Sequence, residues 1–237
     1  MATASIDLIV CDHATSDIAV DGVEKVVMLS ELRAVSRTDR PVHECTEWVL
    51  LTSGTTGAPK LVAHTLISLT GAFSDRSVAN ADTIWSTFYD VRRFGGLQIL
   101  LRTIHAGSSM VISDPAEIVS SFLFRAAAHG VTHISGTPSQ WRRAMIAPSL
   151  ETFAPTYIRL SGEIADQSVL DRIHSLFPDA SIAHAFASTE AGVAFEVTDG
   201  LAGFPASIID RASEPVSIAV RDGALLIKSD RSAVGYL

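Results

Sequence analysis

The stretch LLTSGTTGAPKLVAHT, Leu50–Thr65, decides how the rest of the chain is read. Seven of the eight residues from Thr52 to Pro59 are Thr, Ser, Gly or Pro, and Lys60 follows at once. Gly54 and Gly57 free the backbone to turn its N–H groups toward a ligand. Thr52, Ser53, Thr55 and Thr56 add hydroxyls, and Lys60 adds a fixed positive charge. Together they make an anion cradle suited to a polyphosphate. An ordinary glycine-rich turn is the plain alternative. Hydroxyls at this density, closed by Pro59-Lys60, are costly to order for a mere turn. A Walker loop fails on spacing. It needs glycine before the lysine and a hydroxyl after it, and here Pro59 and Leu61 hold those places.

The loop follows a β-like run at Trp48–Leu51. Similar short runs recur at Leu8–Val10, Lys25–Leu29, Thr83–Ser86, Ser109–Ile112, Thr132–Ile134, Tyr157–Leu160 and Ser181–Ala185. Amphipathic segments predict helices over Leu66–Val78, Gly95–His105, Ala116–His129, Ser139–Met145 and Gln167–Phe177, with Pro115 and Pro138 where helices would start. This alternation predicts an α/β fold, mostly parallel sheets flanked by helices. After Ala194 the pattern changes. Ala194–Val197, Ser207–Ile209, Val216–Val220 and Leu225–Lys228 read as strands with short turns, Asp222-Gly223 among them, which predicts a C-terminal antiparallel β subdomain.

Ser53–Lys60 resembles the phosphate-binding signature of the adenylate-forming superfamily of acyl- and aryl-CoA synthetases, adenylation domains and luciferases. Leu61 departs from it, standing where glycine is usual. A second stretch, AFASTEAG (Ala185–Gly192), resembles the superfamily's tyrosine-glycine-x-threonine-glutamate hallmark, with Phe186 and Ala187 in place of the tyrosine and glycine. The resemblance implies that Phe186 stacks on adenine, Thr189 contacts the α-phosphate and Glu190 binds Mg²⁺, with Ala187 and Ser188 alongside. A carboxylate is a suitable hard ligand for that ion. RLSGEIAD (Arg159–Asp166) resembles more loosely the segment whose backbone packs against adenine, which places Gly162, Glu163 and Ile164 there. A strand end followed by a helix capped by Asp166 is an equally good reading of it.

VTHISGTPSQWRRAM (Val131–Met145) resembles the strand-loop-helix that lines the acyl pocket, which makes Gly136, Thr137 and Pro138 pocket candidates. Ser86–Ile112 resembles the segment with a gate before Gly-Gly-Leu, adding Tyr89, Arg93, Phe94 and Gly95. Arg93 falls near the gate itself, where a guanidinium suits a substrate carboxylate; a surface role for Arg92 and Arg93 is the even alternative. Asp90 is a weaker candidate for a substrate ammonium group. Asp222–Leu237 resembles the late strand pair that ends in Gly-Tyr. The resemblance spans roughly Glu47 to Leu237. It divides the chain into a short N-terminal segment packing on the core (residues 1–46), an α/β AMP-binding core (47–193) and the antiparallel subdomain (194–237).

The resemblance implies an acid–thiol ligase. A carboxylate is activated with ATP and Mg²⁺ to an acyl-adenylate, pyrophosphate leaves, and coenzyme A or the phosphopantetheine of a carrier protein takes the acyl group. Lys60, Thr189 and Glu190 are the catalytic expectations. The superfamily's ribose-binding aspartate, hinge and small lysine-bearing domain come later than Leu237. The expectation is therefore a large-domain part of a longer protein that binds nucleotide weakly and turns over poorly by itself. The alternative is a nucleotide-binding sensor, or one half of a split enzyme.

Composition narrows the partners. A net charge of −8 argues against nucleic acid, whose phosphates select basic patches. No apolar stretch reaches the roughly 18 residues that a membrane span needs. The N-terminus lacks a basic signal-peptide region. Cys11 and Cys45 make neither a CxxC pair nor a disulfide framework. The expectation is a cytoplasmic protein with a small carboxylate substrate, and a homodimer is left open. The histidines are dispersed without an H-E-x-x-H motif, so zinc is not expected. Ser53 and Ser188 lack the G-x-S-x-G setting of a serine nucleophile. His133 reads as a satisfied core histidine or as a pocket wall.

Overall fold

The computed structural model describes residues 46–52, 58–73, 82–114, 116–209 and 216–237, together with the backbone of 8–11, 25–28 and 212–213. Near the N-terminus, β1 (Leu8–Cys11) and β2 (Lys25–Met28) pair in parallel. Strands β3 (Glu47–Leu51) and β4 (Leu61–Thr65) then form an antiparallel hairpin around the glycine-rich loop. Strand β4 was not expected from the sequence, which reads there as loop running into helix. Its Val62, Ala63 and His64 are all buried, so it has no polar face to betray a period of two. Helix α1 follows at once (Leu66–Thr70), started by a capping box between Thr65 and Ser68. It stops at Gly71, well short of the predicted Leu66–Val78, and residues 74–81 lie outside those described.

The main body alternates strand and helix through β5 (Ile84–Thr87), α2 (Phe94–Ala106), β6 (Ser109–Val111), α3 (Val119–Ala128), β7 (His133–Gly136), α4 (Pro138–Ala144), β8 (Tyr157–Ser161), α5 (Gln167–Leu176), β9 (Ser181–Ser188) and β10 (Gly192–Val197). These strands make one six-stranded sheet in the order β10-β9-β8-β7-β5-β6, parallel throughout except for β10. Local chemistry sets the helix ends. Gly107 closes α2 in the left-handed region at φ 63°. Thr137, Pro138 and Gln140 start α4, and the Asp166 carboxylate caps α5. Helix α3 begins at Val119, later than Ala116, because the Asp114 carboxylate accepts from Ala116 N–H in a turn and Ile118 is extended.

Alternation along the strands gives the sheet two unlike faces. Ile134, Ile158 and Leu160 point to one side, where α3, α4 and α5 cover them with Leu123, Ala126, Trp141, Val169 and Ile173. Trp141 is fully buried in this cluster, and its truncation to alanine would cost about 3–5 kcal/mol. On the other face, Trp85, His133 and Tyr157 stand side by side on β5, β7 and β8. One step toward the carboxyl ends, Thr87, Ser135 and Arg159 form the next row.

A separate three-stranded antiparallel sheet follows, made of β11 (Ala212–Ser213), β12 (Val216–Arg221) and β13 (Ala224–Ser229). Asp222 and Gly223 both take positive φ, at 51° and 76°, and form the tight hairpin turn expected of that pair. The expected strand at Ser207–Ile209 is instead a 3-10 turn at Ala206–Ile208. The change of pattern at Ala194 falls inside β10, which belongs to the six-stranded sheet. Finally β14 (Gly235–Tyr236) joins the edge of β4, giving a third sheet in the order β14-β4-β3. Among the described residues no helix is long and apolar enough to cross a membrane.

Candidate active site

The hairpin β3–β4 holds the glycine-rich loop by its base. Thr52 N–H donates to Lys60 O (2.9 Å), and Lys60 N–H donates to Thr52 Oγ1 (3.2 Å). Thr52 is buried by this pairing, and its hydroxyl serves the loop's own backbone. Ser53, Gly54, Thr55, Thr56 and Gly57 lie outside the described residues. Lys60 is exposed, with Nζ 4.7 Å from the centre of the Tyr236 ring.

Tyr236 links this lysine to the second motif. Its hydroxyl donates to Glu190 Oε1 (3.1 Å), a contact that raises the tyrosine pKa. Glu190 sits in the turn between β9 and β10, and its carbonyl accepts from Ala233 N–H (2.7 Å). The Thr189 carbonyl accepts from His64 Nε2 (2.6 Å). A carbonyl can only accept, so Nε2 carries the proton and Nδ1 faces the Ser68 hydroxyl at 3.0 Å. His64 has no exposed surface and packs 5.8 Å from the Phe94 ring. Burial lowers its pKa, against the opposing pull of the Thr189 carbonyl and the Glu190 charge. The Ser188 hydroxyl accepts from Ala191 N–H, and half-buried Ala187 packs with Leu50, Leu69 and Phe94. Phe186 is half covered by Phe195, stacked 5.7 Å away.

The expected pocket residues gather at the carboxyl ends of β5, β7 and β8. Tyr89 leaves β5 and crosses β7, and its hydroxyl donates to Ser161 O on β8 (2.8 Å). Burial pushes the Tyr89 phenol up to about 12. Gly95, in the first turn of α2, lies against this ring; a Cβ there would meet it at 3.3 Å. Phe94 is buried, whereas Arg93 is exposed at the N-cap of α2. Asp90 is held by exposed Arg92 through hydrogen bonds of 2.8–3.1 Å, and this partner lowers its pKa. Gly136 is needed for close approach, since a Cβ there would lie 2.6 Å from Phe88 Cδ2. Thr137 and Pro138 are spent on starting α4.

Gly162 takes φ 84°, which favours glycine. Glu163 Oε2 accepts from Ser139 N–H at the start of α4 (2.9 Å), which helps hold its pKa low against burial. Ile164 projects into solvent at 89% exposure. An open cavity of about 320 Å³ lies instead on the α3–α4 side, walled by Phe88, Asp90, Glu117, Phe122, Gln140 and Arg143. Of the residues considered from the sequence only Asp90, the weaker candidate, reaches it, so it is not the site described above.

Four contributions escaped the sequence reading. His64 and Tyr236 touch the second motif from positions far from it in the chain. Ser135 and Arg159 are brought together only by strand pairing. His133 packs 4.9 Å from Trp85 and 5.2 Å from Tyr157, with Nδ1 2.9 Å from Thr132 Oγ1. His129 and His133 are four residues apart, a spacing that would align them on a helix. They lie instead at the C-cap of α3 and at the start of β7.

The pattern of the AMP-binding enzyme family matches residues 12–237. The chain belongs to that family. No curated protein matches it. Solved structures share its fold. The N-terminal domain of FACL13 from Mycobacterium tuberculosis aligns with a TM-score of 0.68 at 18% identity, over 91% of this chain and 59% of that one. An ATP-bound structure of MatB from Rhodopseudomonas palustris gives 0.67 at 18% identity, over 97% and 52%. MenE from Bacillus subtilis, an O-succinylbenzoate coenzyme A synthetase in complex with AMP, gives 0.60 at 20% identity, over 79% and 41%. The chain spans about half the length of these neighbours.

Proposed function

We propose that this chain activates a carboxylic acid with ATP, forming an acyl-adenylate and pyrophosphate, and that the acyl group passes to the thiol of coenzyme A or of a carrier-protein pantetheine. The observation that carries the reading is the meeting of Lys60 and Glu190 across Tyr236. Residues far apart in the chain bring an ammonium over the face of the Tyr236 ring and a carboxylate to its hydroxyl. Among the described residues no carboxylate pairs with Lys60, so its charge is available to the β- and γ-phosphates. Glu190 keeps its second oxygen for Mg²⁺, which would neutralise phosphate charge when bound.

The task is to hold two anions together and spread the charge that develops, so positioning and electrostatics do most of the work. Thr52, Ser53, Gly54, Thr55, Thr56 and Gly57 are assigned to the phosphates, and Thr189 to the α-phosphate. Phe186, Ala187, Ser188, Gly162, Glu163 and Ile164 are assigned to the adenosine side. Tyr89, Arg93, Phe94, Gly95, Gly136, Thr137 and Pro138 are assigned to the acid. A cytoplasmic setting is proposed with this reading.

Carboxylate-dependent ATP–pyrophosphate exchange tests it, run with aryl, fatty and amino acids. Exchange with one acid class supports activation. Nucleotide binding without exchange for any acid, by this chain and by the full natural reading frame alike, overturns it and leaves a nucleotide-binding protein. Glu190→Ala is expected to abolish the Mg²⁺ dependence of ATP binding with the far-UV spectrum unchanged. An unaltered magnesium titration would count against the role given to Glu190.

A further inference from the structure

Parallel sheets are normally apolar on both faces. This one carries a polar row, Thr87–Ser135–Arg159, across the carboxyl ends of β5, β7 and β8. Thr87 and Ser135 have no exposed surface, and Arg159 is only 6% exposed. Thr87 is satisfied, because its hydroxyl donates to Ser135 O (3.1 Å) and accepts from Tyr89 N–H (3.0 Å). Arg159 is not. Its Nε donates to Glu196 Oε2 at 2.7 Å, but Nη2 is shut off from solvent and has no partner among the described residues. Ser135 Oγ, on the paired residue of the next strand, is likewise buried, and among the described residues the Tyr89 phenol is its polar neighbour. An orphaned guanidinium nitrogen is costly, and natural structures rarely keep one without a reason.

Among the described residues, guanidinium groups outnumber carboxylates around the row. Arg102, whose guanidinium lies over the Phe73 ring, feels Arg159 and Arg231 with Glu196 as the nearby carboxylate. Glu196 is also claimed by the Tyr157 hydroxyl. The row stands where open α/β sheets bind ligands, at the carboxyl ends of the strands. Tyr89, Gly136 and Gly162 border it, and the Tyr89 phenol closes it by its bond to Ser161 O. An acid entering here would have to displace that phenol.

We propose that the acid taken by this chain carries a second anionic group, and that this group supplies the missing partner of Arg159 Nη2 and takes the place of the Tyr89 phenol at Ser135 Oγ. The inference rests on the carboxylate-activation reading and narrows it to acids with two anionic ends. Arg159 and Ser135 are then specificity determinants, remote from the reacting carboxylate.

The test titrates the chain by calorimetry with matched pairs, butanoate against succinate and glutarate, and benzoate against the benzenedicarboxylates, with and without Mg·ATP. At least one dicarboxylate is expected to bind about 10- to 100-fold more tightly than its monocarboxylate partner, the worth of a buried charge-assisted hydrogen bond. Arg159→Gln is expected to erase the preference and Ser135→Ala to cut it by about 3- to 10-fold. If Arg159→Gln does not fold, Ser135→Ala decides alone. Equal binding within the pairs, no dicarboxylate binding, or a preference that survives Ser135→Ala overturns the proposal. Pyrophosphate exchange separates the two readings. Exchange driven only by monocarboxylates leaves activation standing and removes the second-anion site. Dicarboxylate binding sensitive to Ser135→Ala, without exchange by this chain or by the full natural reading frame, keeps the site and removes activation.

Discussion

Replacing His64 with leucine keeps most of the side-chain volume against Phe94 and removes only the polar bridge. Two hydrogen bonds are lost, to the Thr189 carbonyl at 2.6 Å and the Ser68 hydroxyl at 3.0 Å. At about 1 kcal/mol each, with a further penalty for a carbonyl left partly buried, the expected loss is about 2–3 kcal/mol. Ser68 limits the damage, because its hydroxyl also reaches Thr65 O at 3.0 Å. Urea unfolding reads the change as a lower midpoint at unchanged slope. The same variant isolates a pH effect. The folded His64 binds its proton more weakly than its ordinary value of 6.5 implies. Its contribution is therefore complete above that pH and falls as pH drops from there toward the folded value. The natural chain should lose stability between pH 7 and 5 faster than His64→Leu. His133 shifts in the same direction and remains in both proteins. A stability change under about 0.5 kcal/mol would refute the bridge, since surface substitutions alone fall in that range. Parallel pH profiles would refute the titration argument.

Adjacent glycines of α2 should respond unequally. Gly96→Ala places Cβ 2.3 Å from the Asp90 carbonyl oxygen, a backbone clash expected to cost about 3 kcal/mol or more, whereas Gly95→Ala meets only the Tyr89 ring at 3.3 Å and should cost far less; melting temperatures of the two variants check this. Glu163→Ala removes an acceptor from the start of α4 and should destabilise by about 1 kcal/mol in urea at pH 7. Because the Glu163 pKa is lowered in the fold, that difference should be present above the ordinary value of 4.5 and vanish as pH falls through the folded value. Tyr236→Phe releases Glu190 Oε1 and should change Mg²⁺-dependent ATP binding with little effect on unfolding; an unaltered titration would detach Tyr236 from the site.

Features written in adjacent residues were legible. The strand-helix alternation gave the parallel sheet, and Asp222-Gly223 gave its hairpin turn. The two motifs could be read because their residue types cluster within a few positions. Strand β4 was hidden because the loop closing its hairpin is longer than the short turns that signal one. The helix at Leu66 was overextended because apolar periodicity continues past Gly71, where the helix stops. His64 could not be assigned because its partner Thr189 lies 125 residues away. Arg159 lies in the β-like run Tyr157–Leu160, but its setting exists only once β7 lies beside β8 and Glu196 arrives from β10. Such partners are fixed by register, which no single stretch encodes.

The bond from Ser139 N–H to Glu163 Oε2 ties together two loops that the reading assigns to different ligands. The loop at Gly136–Pro138 is assigned to the acid, and the one at Gly162–Ile164 to the nucleoside. Shifting either loop alone costs that bond, so an acid that reshapes the first would bias the second. Free-energy coupling of this kind is reciprocal: whatever factor the acid gains from bound nucleotide, the nucleotide gains from bound acid. The two ligands would then load as a cooperative pair, with one carboxylate at a helix start as the transmission between them.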